Sequence, residues 1–514
     1  MRKNRTTLLL KAAFATAFIV IAAACDKSAG DIASIETGAW YDTSFNGGRY
    51  FVKLDELSVE DRSASGCCYE DNGSGVAQPQ DFTAKLSRNK VVLECGGETR
   101  KFRTAQLSWK RYEAPQFKKA DTSLFRAPFC EVKVTKDIKY GRAEGYWTSL
   151  KGVEAEVSKA FTEGYIKSFK RRKLDLELDL YKPVGLDGKR PLILFIHGGA
   201  FYVGDKQEPA YVDFCNYFAS MGYVTASMNY RMGFHLGKGE IERAGYTALQ
   251  DAHAAIRFLL NHAKEYGIDR ENIFIAGSSA GSITALILAF MTEDDRPGSS
   301  HGGRGLFNGN DLGSISGSGN DLKADFKVKA VANMWGAVSS TDILENSRTD
   351  IISFHGDADN VVPYEEGYPF SSAGENISRM LSEKMYGSVC IDGKARSLGL
   401  RSEMHTFHGE GHALNTTGKE KTPNRNHKFI KRKIMHFFFD ELVPQKAAIS
   451  QDGNGYYSVQ GNVESASWQV TGGFVTAAEG NKVTVLWRKD APEHRLTASG
   501  CYSGGIGYIV TRNF

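Results

Sequence analysis

The 514-residue chain sets 64 lysines and arginines against 60 aspartates and glutamates, a formal net charge of +4 at pH 7. At about 150 residues per domain the length implies two to four domains, and so even a charge balance points to no nucleic-acid partner. Beyond the first 25 residues no apolar run approaches the roughly 20 residues needed to cross a bilayer, so the body reads as soluble.

Arg2, Lys3 and Arg5 form a charged head, Thr16 to Ala24 an apolar run, and Ala22-Ala23-Ala24 lead to Cys25. This reads as an export signal. Residues 1–25 resemble a bacterial lipoprotein signal, with Ala22 where such signals usually carry leucine. The resemblance implies an exported, membrane-anchored lipoprotein whose lipidated Cys25 is its only membrane contact; an ordinary cleaved signal and an uncleaved anchor are the alternatives. Cys67, Cys68, Cys95, Cys130, Cys215, Cys390 and Cys501 then remain, an odd set that leaves at least one thiol unpaired. The first four lie in one region and could supply one or two bridges in an oxidising compartment. Without Cys-x-x-Cys or histidine pairing a zinc site is the weaker reading, and no metal is expected.

Residues 26–130 are expected to form a small β-rich domain. Arg49–Leu57, Asp81–Leu86, Lys90–Glu94, Glu98–Arg103 and Ala105–Trp109 alternate polar and apolar residues, separated by Gly, Asn and Asp. No catalytic constellation stands out there, and a binding or spacer role is the default.

Residues 131–443 differ in texture. Val132–Val134 and the strictly alternating Leu174–Tyr181 read as early strands. Continuous apolar runs then recur at Pro191–Ile196, Tyr223–Ser227, Ile273–Ala276, Val328–Asn333 and Ile351–Phe354, as strands buried on both faces require. Helical patterns fall between them at Pro209–Met221, Ala244–Tyr266 and Gly281–Thr292, and Lys428–Leu442 is the last. Strand alternating with helix predicts a mostly parallel sheet covered on both sides. The basic run Lys170–Lys173 reads as a solvated stretch before a strand. The Gly- and Ser-rich stretch Met291–Asp325 reads equally as a border to the site mouth or as a mobile surface insertion.

The chemistry centres on Gly277-Ser-Ser-Ala-Gly281, which follows a predicted strand and opens a predicted helix. That context is what a nucleophile elbow requires: the turn lifts the Ser279 hydroxyl clear of the sheet, and side chains at Gly277 and Gly281 would collide. Serine needs a base, and the base an acid to orient it. His355-Gly-Asp-Ala-Asp-Asn-Val-Val-Pro363 follows an apolar strand and offers Asp357 and Asp359; it resembles the H-G-x-x-D-x-x-V-P pattern of hydrolases, which implies Asp359 as the acid, and Asp357 reads as a turn cap. Phe407-His-Gly-Glu-Gly-His412 offers His412, carried back over the sheet by its glycines, with His405 and His408 as rivals on or just past a strand. Upstream, His197-Gly-Gly-Ala-Phe201 follows the strand ending at Ile196. Gly198 and Gly199 let that loop present backbone N–H groups to an oxyanion.

On these motifs the region from Val132 to Leu442 resembles the α/β-hydrolase carboxylesterases with H-G-G-x-F and G-x-S-A-G signatures, closest in texture to bacterial feruloyl and acetylxylan esterases. Asn229-Tyr-Arg231, Gln250-Asp251 and Arg257 also fit. The resemblance implies the α/β-hydrolase fold, a serine esterase acting on a small-molecule or polysaccharide ester without a cofactor, and an oxyanion hole from the amides of Gly199, Ala200 and Ala280. Ala200 stands where many relatives carry a third glycine, and its methyl group is expected to narrow the acyl side.

Residues 444–514 read as a second all-β module, with strands at Tyr456–Val459, Ser467–Val470, Lys482–Trp487 and Gly507–Thr511. Trp468-Gln-Val-Thr-Gly-Gly473 and Val483-Thr-Val-Leu-Trp487 resemble the PKD-like, immunoglobulin-type repeats of secreted bacterial proteins, which implies a spacer or a surface-binding role. Two other activities share parts of the pattern. A serine peptidase of the prolyl-oligopeptidase type uses the same sheet and triad, but no propeller-like repeat precedes this domain. A non-catalytic surface binding protein would keep the fold and lose the chemistry.

Overall fold

The computed structural model describes residues 36–514 except 46–47, 59–60, 62, 88–89, 96–97, 104–107, 150–170, 236–238, 303–309, 375, 377, 380–381, 419–421 and 503. The signal with Cys25, residues 105–107 of one expected strand, Lys170 and Gly303 lie outside the described residues. Two compact units are present: Ser123–Pro444, and a second that joins the described residues up to Thr122 with Gln445–Phe514.

Ser123–Pro444 is built on an eight-stranded sheet. In chain order its strands are β1 (Val132–Gly145), β2 (Arg172–Pro183), β3 (Arg190–Ile196), β4 (Val224–Met228), β5 (Ile268–Ser278), β6 (Ala330–Met334), β7 (Asp350–Gly356) and β8 (Ser402–Phe407). They lie in the order β8-β7-β6-β5-β3-β4-β2-β1. β3 to β8 run parallel, and β2 pairs antiparallel with both β4 and β1. Five helices matter to the site: α1 (Pro209–Ala219), α2 (Glu240–Asn261), α3 (Ala280–Phe290), α4 (Ser388–Ser397) and α5 (Arg425–Leu442). This is the α/β-hydrolase fold expected from the sequence.

The apolar runs explain the layering. Successive side chains of a strand point to opposite faces, so a run apolar at every position buries both. Leu192, Leu194 and Ile196 of β3 pack in the cluster that includes Leu249 and Ile256 of α2 and Leu286 of α3. Phe195, between them, points the other way and stacks on Phe214 of α1 at 5.4 Å. Each such side chain, fully buried, stabilises the fold by about 1.5–3 kcal/mol.

Three local expectations change. The strand read at Val132–Val134 extends to Gly145, because this polar, lysine-bearing stretch pairs along β2 as an edge strand with two irregularities in register. The helix expected at Ala244–Tyr266 begins at Glu240 and breaks at His262 before a further turn at Ala263–Tyr266. The Gly/Ser-rich stretch is tied down over its described C-terminal part. Gln250 donates to the carbonyls of Leu312 and Ser314, Arg231 to Ser318 Oγ, and Asn320 to the carbonyls of Tyr140 and Ala254.

The second unit also departs from expectation. The segments read as separate domains, 26–130 and 444–514, contribute to one compact unit and share a core. A seven-stranded sheet runs from Trp40–Phe45 to Ser108–Arg111, and the C-terminal segment supplies strands of two further sheets. Phe474 of the C-terminal segment inserts among Trp40, Phe51, Tyr69 and Tyr112, stacked on Phe51 at 4.4 Å. Val76–Ala77 add a parallel strand beside Trp487–Arg488, and Tyr112 accepts the Val475 amide at 2.8 Å. The first sheet carries an aromatic face, and the C-terminal segment covers it. Cys67 and Cys130 are free thiols, so no bridge joins them. No helix among the described residues is long and apolar enough to cross a membrane.

Candidate active site

β5 ends at Ser278 and α3 begins at Ala280, so Ser279 is the single residue of the turn between them. Its backbone takes φ 54° and ψ −124°, a strained conformation worth roughly 1–3 kcal/mol, and its amide is held by the Met334 carbonyl at 2.9 Å. Both glycines of the motif are required by contact. A Cβ on Gly277 would overlap the Gly281 carbonyl, and one on Gly281 would overlap the carbonyl oxygens of Ile196 and His197.

The partners arrive from the carboxyl ends of the next strands, where side chains of such sheets converge. Asp359 follows β7 and His412 follows β8. His412 Nε2 lies 2.8 Å from Ser279 Oγ, and its Nδ1 lies 2.7 Å from Asp359 Oδ2. The Asp359 side chain is fully buried. Its Oδ1 accepts the amides of Val361 and Val362 at 2.8 and 3.0 Å, and Oδ2 is also 3.2 Å from His355 Nε2. Burial alone would raise this carboxyl's pKa. Hydrogen bonds from His355 and His412, with the charge of His412, outweigh it and hold the group well below the usual carboxylate range.

The rival residues are accounted for. Asp357 accepts the Gly409 amide and pairs with the exposed His408 at 2.8 Å, so it fastens the histidine loop from outside. His405 lies on β8, stacked on Phe354 at 5.2 Å.

The His197–Phe201 loop lies directly against the elbow, since a Cβ on Gly198 would come within 2.8 Å of the Ser278 carbonyl. Gly199, Ala200 and Phe201 have φ of 107°, 53° and 57°, so three successive residues turn left-handed. The amides of Tyr202 and Val203 both close on the Gly199 carbonyl at 2.9 Å. Tyr211 fixes the loop: its hydroxyl accepts the Gly198 amide at 3.0 Å and bonds Ser278 Oγ at 2.6 Å. Tyr230 stacks on His197 at 4.4 Å and donates to its carbonyl at 2.8 Å. Burial pushes both phenols up in pKa, so both keep their protons. Sequence reasoning missed the part played by Tyr211, because its partners lie far away in the chain. Arg231 and Asp251, singled out in the sequence, form a buried pair at 2.7 Å.

A cavity of about 100 Å³ opens on Ser279 and Ala280, lined by Ala200, Phe201, Ile283, Ile287, Val362 and Phe370. Met291 and Pro297 border it, so the start of the Gly/Ser-rich region does reach the mouth. Among the described residues no group of His, Cys, Asp and Glu side chains is placed to hold a metal ion. The arrangement can relay a proton from a serine hydroxyl to a carboxylate-held imidazole beside an apolar pocket whose lining includes Ala200 and Ala280.

A family model described as BD-FAE matches residues 178–351. The matched stretch contains Ser279 and ends before Asp359. Gut esterase 1 of Caenorhabditis briggsae is 31% identical over 123 residues, 23% of this chain and 22% of that protein. Para-nitrobenzyl esterase of Bacillus subtilis (strain 168) is 31% identical over 120 residues, 23% of this chain and 24% of that one. The chain thus spans about a quarter or less of the length of these curated relatives. Among solved structures, apo Thermogutta terrifontis esterase 2 is similar at 22% identity and a TM-score of 0.36, covering 52% of this chain and 90% of that one.

Proposed function

We propose that this protein is a serine carboxylester hydrolase that works through an acyl-enzyme. One observation carries the reading: the unbroken chain Ser279 Oγ, His412, Asp359, with links of 2.8 and 2.7 Å, set beside an apolar cavity. In this mechanism His412 Nε2 takes the proton from Ser279 as the oxygen attacks the ester carbonyl. Asp359 holds the ring with Nδ1–H directed at the carboxylate and stabilises the imidazolium. The carbonyl oxygen becomes an oxyanion, and the amides of Gly199, Ala200 and Ala280 are the donors suited to receive it. His412 then protonates the leaving alcohol, and water repeats the sequence on the acyl-serine to release the acid. No step calls for a cofactor.

The cavity supports a short acyl or aryl group, and the esterase relatives support ester substrates. Acetyl or feruloyl groups on polysaccharides are the proposed natural targets of an exported body anchored through Cys25. The test is turnover of short nitrophenyl esters and of acetylated or feruloylated xylan, with fluorophosphonate labelling mapped to Ser279. Labelling at Ser279 with ester turnover is expected, and Ser279→Ala should abolish both. Aminoacyl nitroanilides cleaved in preference to esters would replace the reading with a peptidase. A folded protein that neither labels nor turns over any ester would overturn it.

A further inference from the structure

Asp359 is held by two histidines. His412 reaches its Oδ2 from the solvent side, and His355, fully buried, reaches the same oxygen at 3.2 Å from within the sheet. His355 lies at the end of β7, four residues before Asp359, and nothing in the proposed chemistry uses it.

What lies behind His355 decides which of its nitrogens carries the proton. Its Nδ1 is 2.7 Å from Ser388 Oγ at the start of α4. The side-chain amide of Asn333, on β6, donates one hydrogen to Ser388 Oγ and the other to Ser353 Oγ, both at 3.0 Å. Asn333 Oδ1 in turn accepts from Ser282 Oγ at 2.6 Å and from the Gly336 amide at 2.9 Å. Ser282, Asn333, Ser353, Ser388 and His355 have no solvent exposure. With both Asn333 hydrogens assigned, the Ser388 hydroxyl accepts from Asn333 and has two acceptors for its own hydrogen, His355 Nδ1 at 2.7 Å and the Gly336 carbonyl at 3.4 Å, of which the imidazole is the nearer. On the other side of the ring Nε2 faces only acceptors, Asp359 Oδ2 at 3.2 Å and the Val362 carbonyl at 3.3 Å, so the ring proton sits on Nε2 and Nδ1 is the acceptor. In a dry interior each of these bonds is costly to break singly, because the abandoned partner finds no water. The string also begins on α3, at Ser282, one turn past Ser279. It links the helix behind the nucleophile to the acid through the body of the sheet.

We propose that His355 is the positioning residue of the acid: its Nε2–H, with the tautomer set by Ser388, fixes the plane of the Asp359 carboxylate so that Oδ2 meets His412 Nδ1. The amides of Val361 and Val362 hold Oδ1, and His355 locks the other oxygen. Without it, Oδ2 would be held on the protein side by His412 alone, the group it must orient. This inference rests on the serine-esterase reading.

The test uses the full chain and four variants: His355→Leu, His355→Gln, Ser388→Ala and Ser279→Ala. Each is measured for kcat and KM on nitrophenyl acetate, for its melting curve, and for the low-field proton resonance of the Asp359–His412 bond. Removing the hydrogen bond that orients a metal-ligating side chain costs about 10–100-fold, and the same scale is expected for one that orients a catalytic acid. His355→Leu should lower kcat by that factor with KM little changed, and should lose the low-field resonance. His355→Gln, whose side-chain N–H can still reach Asp359, should recover most of the loss. Ser388→Ala, which frees the tautomer and alters no volume near the nucleophile, should fall between. A folded His355→Leu with wild-type kcat, or a glutamine variant no better than leucine, overturns the proposal. If His355→Leu does not fold, Ser388→Ala decides, and an unchanged kcat overturns it. If wild type neither labels at Ser279 nor turns over ester, the esterase reading has failed instead. The resonance, which needs no substrate, then decides the positioning role: retained in a folded His355→Leu or in Ser388→Ala it refutes, lost it supports.

Discussion

His253, on α2, offers a test of the fold that is independent of substrate. Its Nδ1 lies 2.7 Å from Arg257 Nη1, and its ring is 4.9 Å from that of Phe326. A guanidinium can only donate, so Nδ1 must accept and the ring is neutral in the folded protein. Burial, and then the charge of Arg257, lower its pKa from 6.5 to about 4. The unfolded chain therefore binds a proton that the folded chain refuses between those values, and stability falls as pH drops through the window. The full gap corresponds to about 3 kcal/mol, most of it lost by about pH 4.5. His253→Gln keeps an acceptor for Arg257 and cannot titrate. Urea unfolding of the full chain at about pH 7 and about pH 4.5 should show wild type losing roughly 2–3 kcal/mol more than the variant. The depressed carboxyl of Asp359 does not contaminate the comparison. Its contribution is present above its unfolded value of about 3.9 and is lost only at lower pH. Equal losses in the two proteins would refute the assignment of a neutral, desolvated His253.

Asp359→Asn should keep the fold and lower kcat on nitrophenyl esters by about four orders of magnitude, the effect of losing the anion that sets the imidazole tautomer; steady-state kinetics read it. Gly281→Ala places a Cβ against the backbone carbonyls of Ile196 and His197, which cannot move aside singly. It should destabilise by about 1–3 kcal/mol or more and misplace the elbow, seen as a lower melting temperature and weak fluorophosphonate labelling. Phe474→Ala should cost about 3–5 kcal/mol and expose both terminal segments to protease together, because they share the core that Phe474 fills.

The sheet and the elbow were legible because their signals are local. Runs such as Pro191–Ile196 and Ile351–Phe354 can be satisfied only between two layers, and Gly277 and Gly281 answer clashes within a few residues of themselves in space. Asp359 and His412 could be chosen over Asp357 and His408 because the acid stretch resembles the H-G-x-x-D-x-x-V-P pattern of hydrolases and glycines flank His412, and the structure brings the chosen pair to Ser279 and the rivals to each other. What remained hidden depends on distant partners. Nothing local marks the bonds of Asn333 to Ser282, Ser388 to His355 or Tyr211 to Ser278, which span 51, 33 and 67 residues. His355 stood in plain view within the acid motif, and only its neighbours from β6 and α4 reveal what it touches. The strands Trp40–Phe45 and Ser63–Asp71 were missed since serine, glycine and aspartate break their alternation. The shared core of the terminal segments was missed because each reads separately as an ordinary small β module.

That shared core imposes an order on the birth of the protein. The aromatic face of the first sheet is complete once Tyr112 has been made, yet its cover, Phe474 and Leu486, comes more than 360 residues later. At about 5–20 residues per second the gap is roughly 20–70 seconds. Through that interval the nascent chain carries an apolar sheet with nothing on it, while the whole of Ser123–Pro444 is synthesised and free to fold. A ribosome that stalls or a message cut short after Pro444 would release a chain whose Ser123–Pro444 unit is complete and whose leading aromatic face lacks its cover.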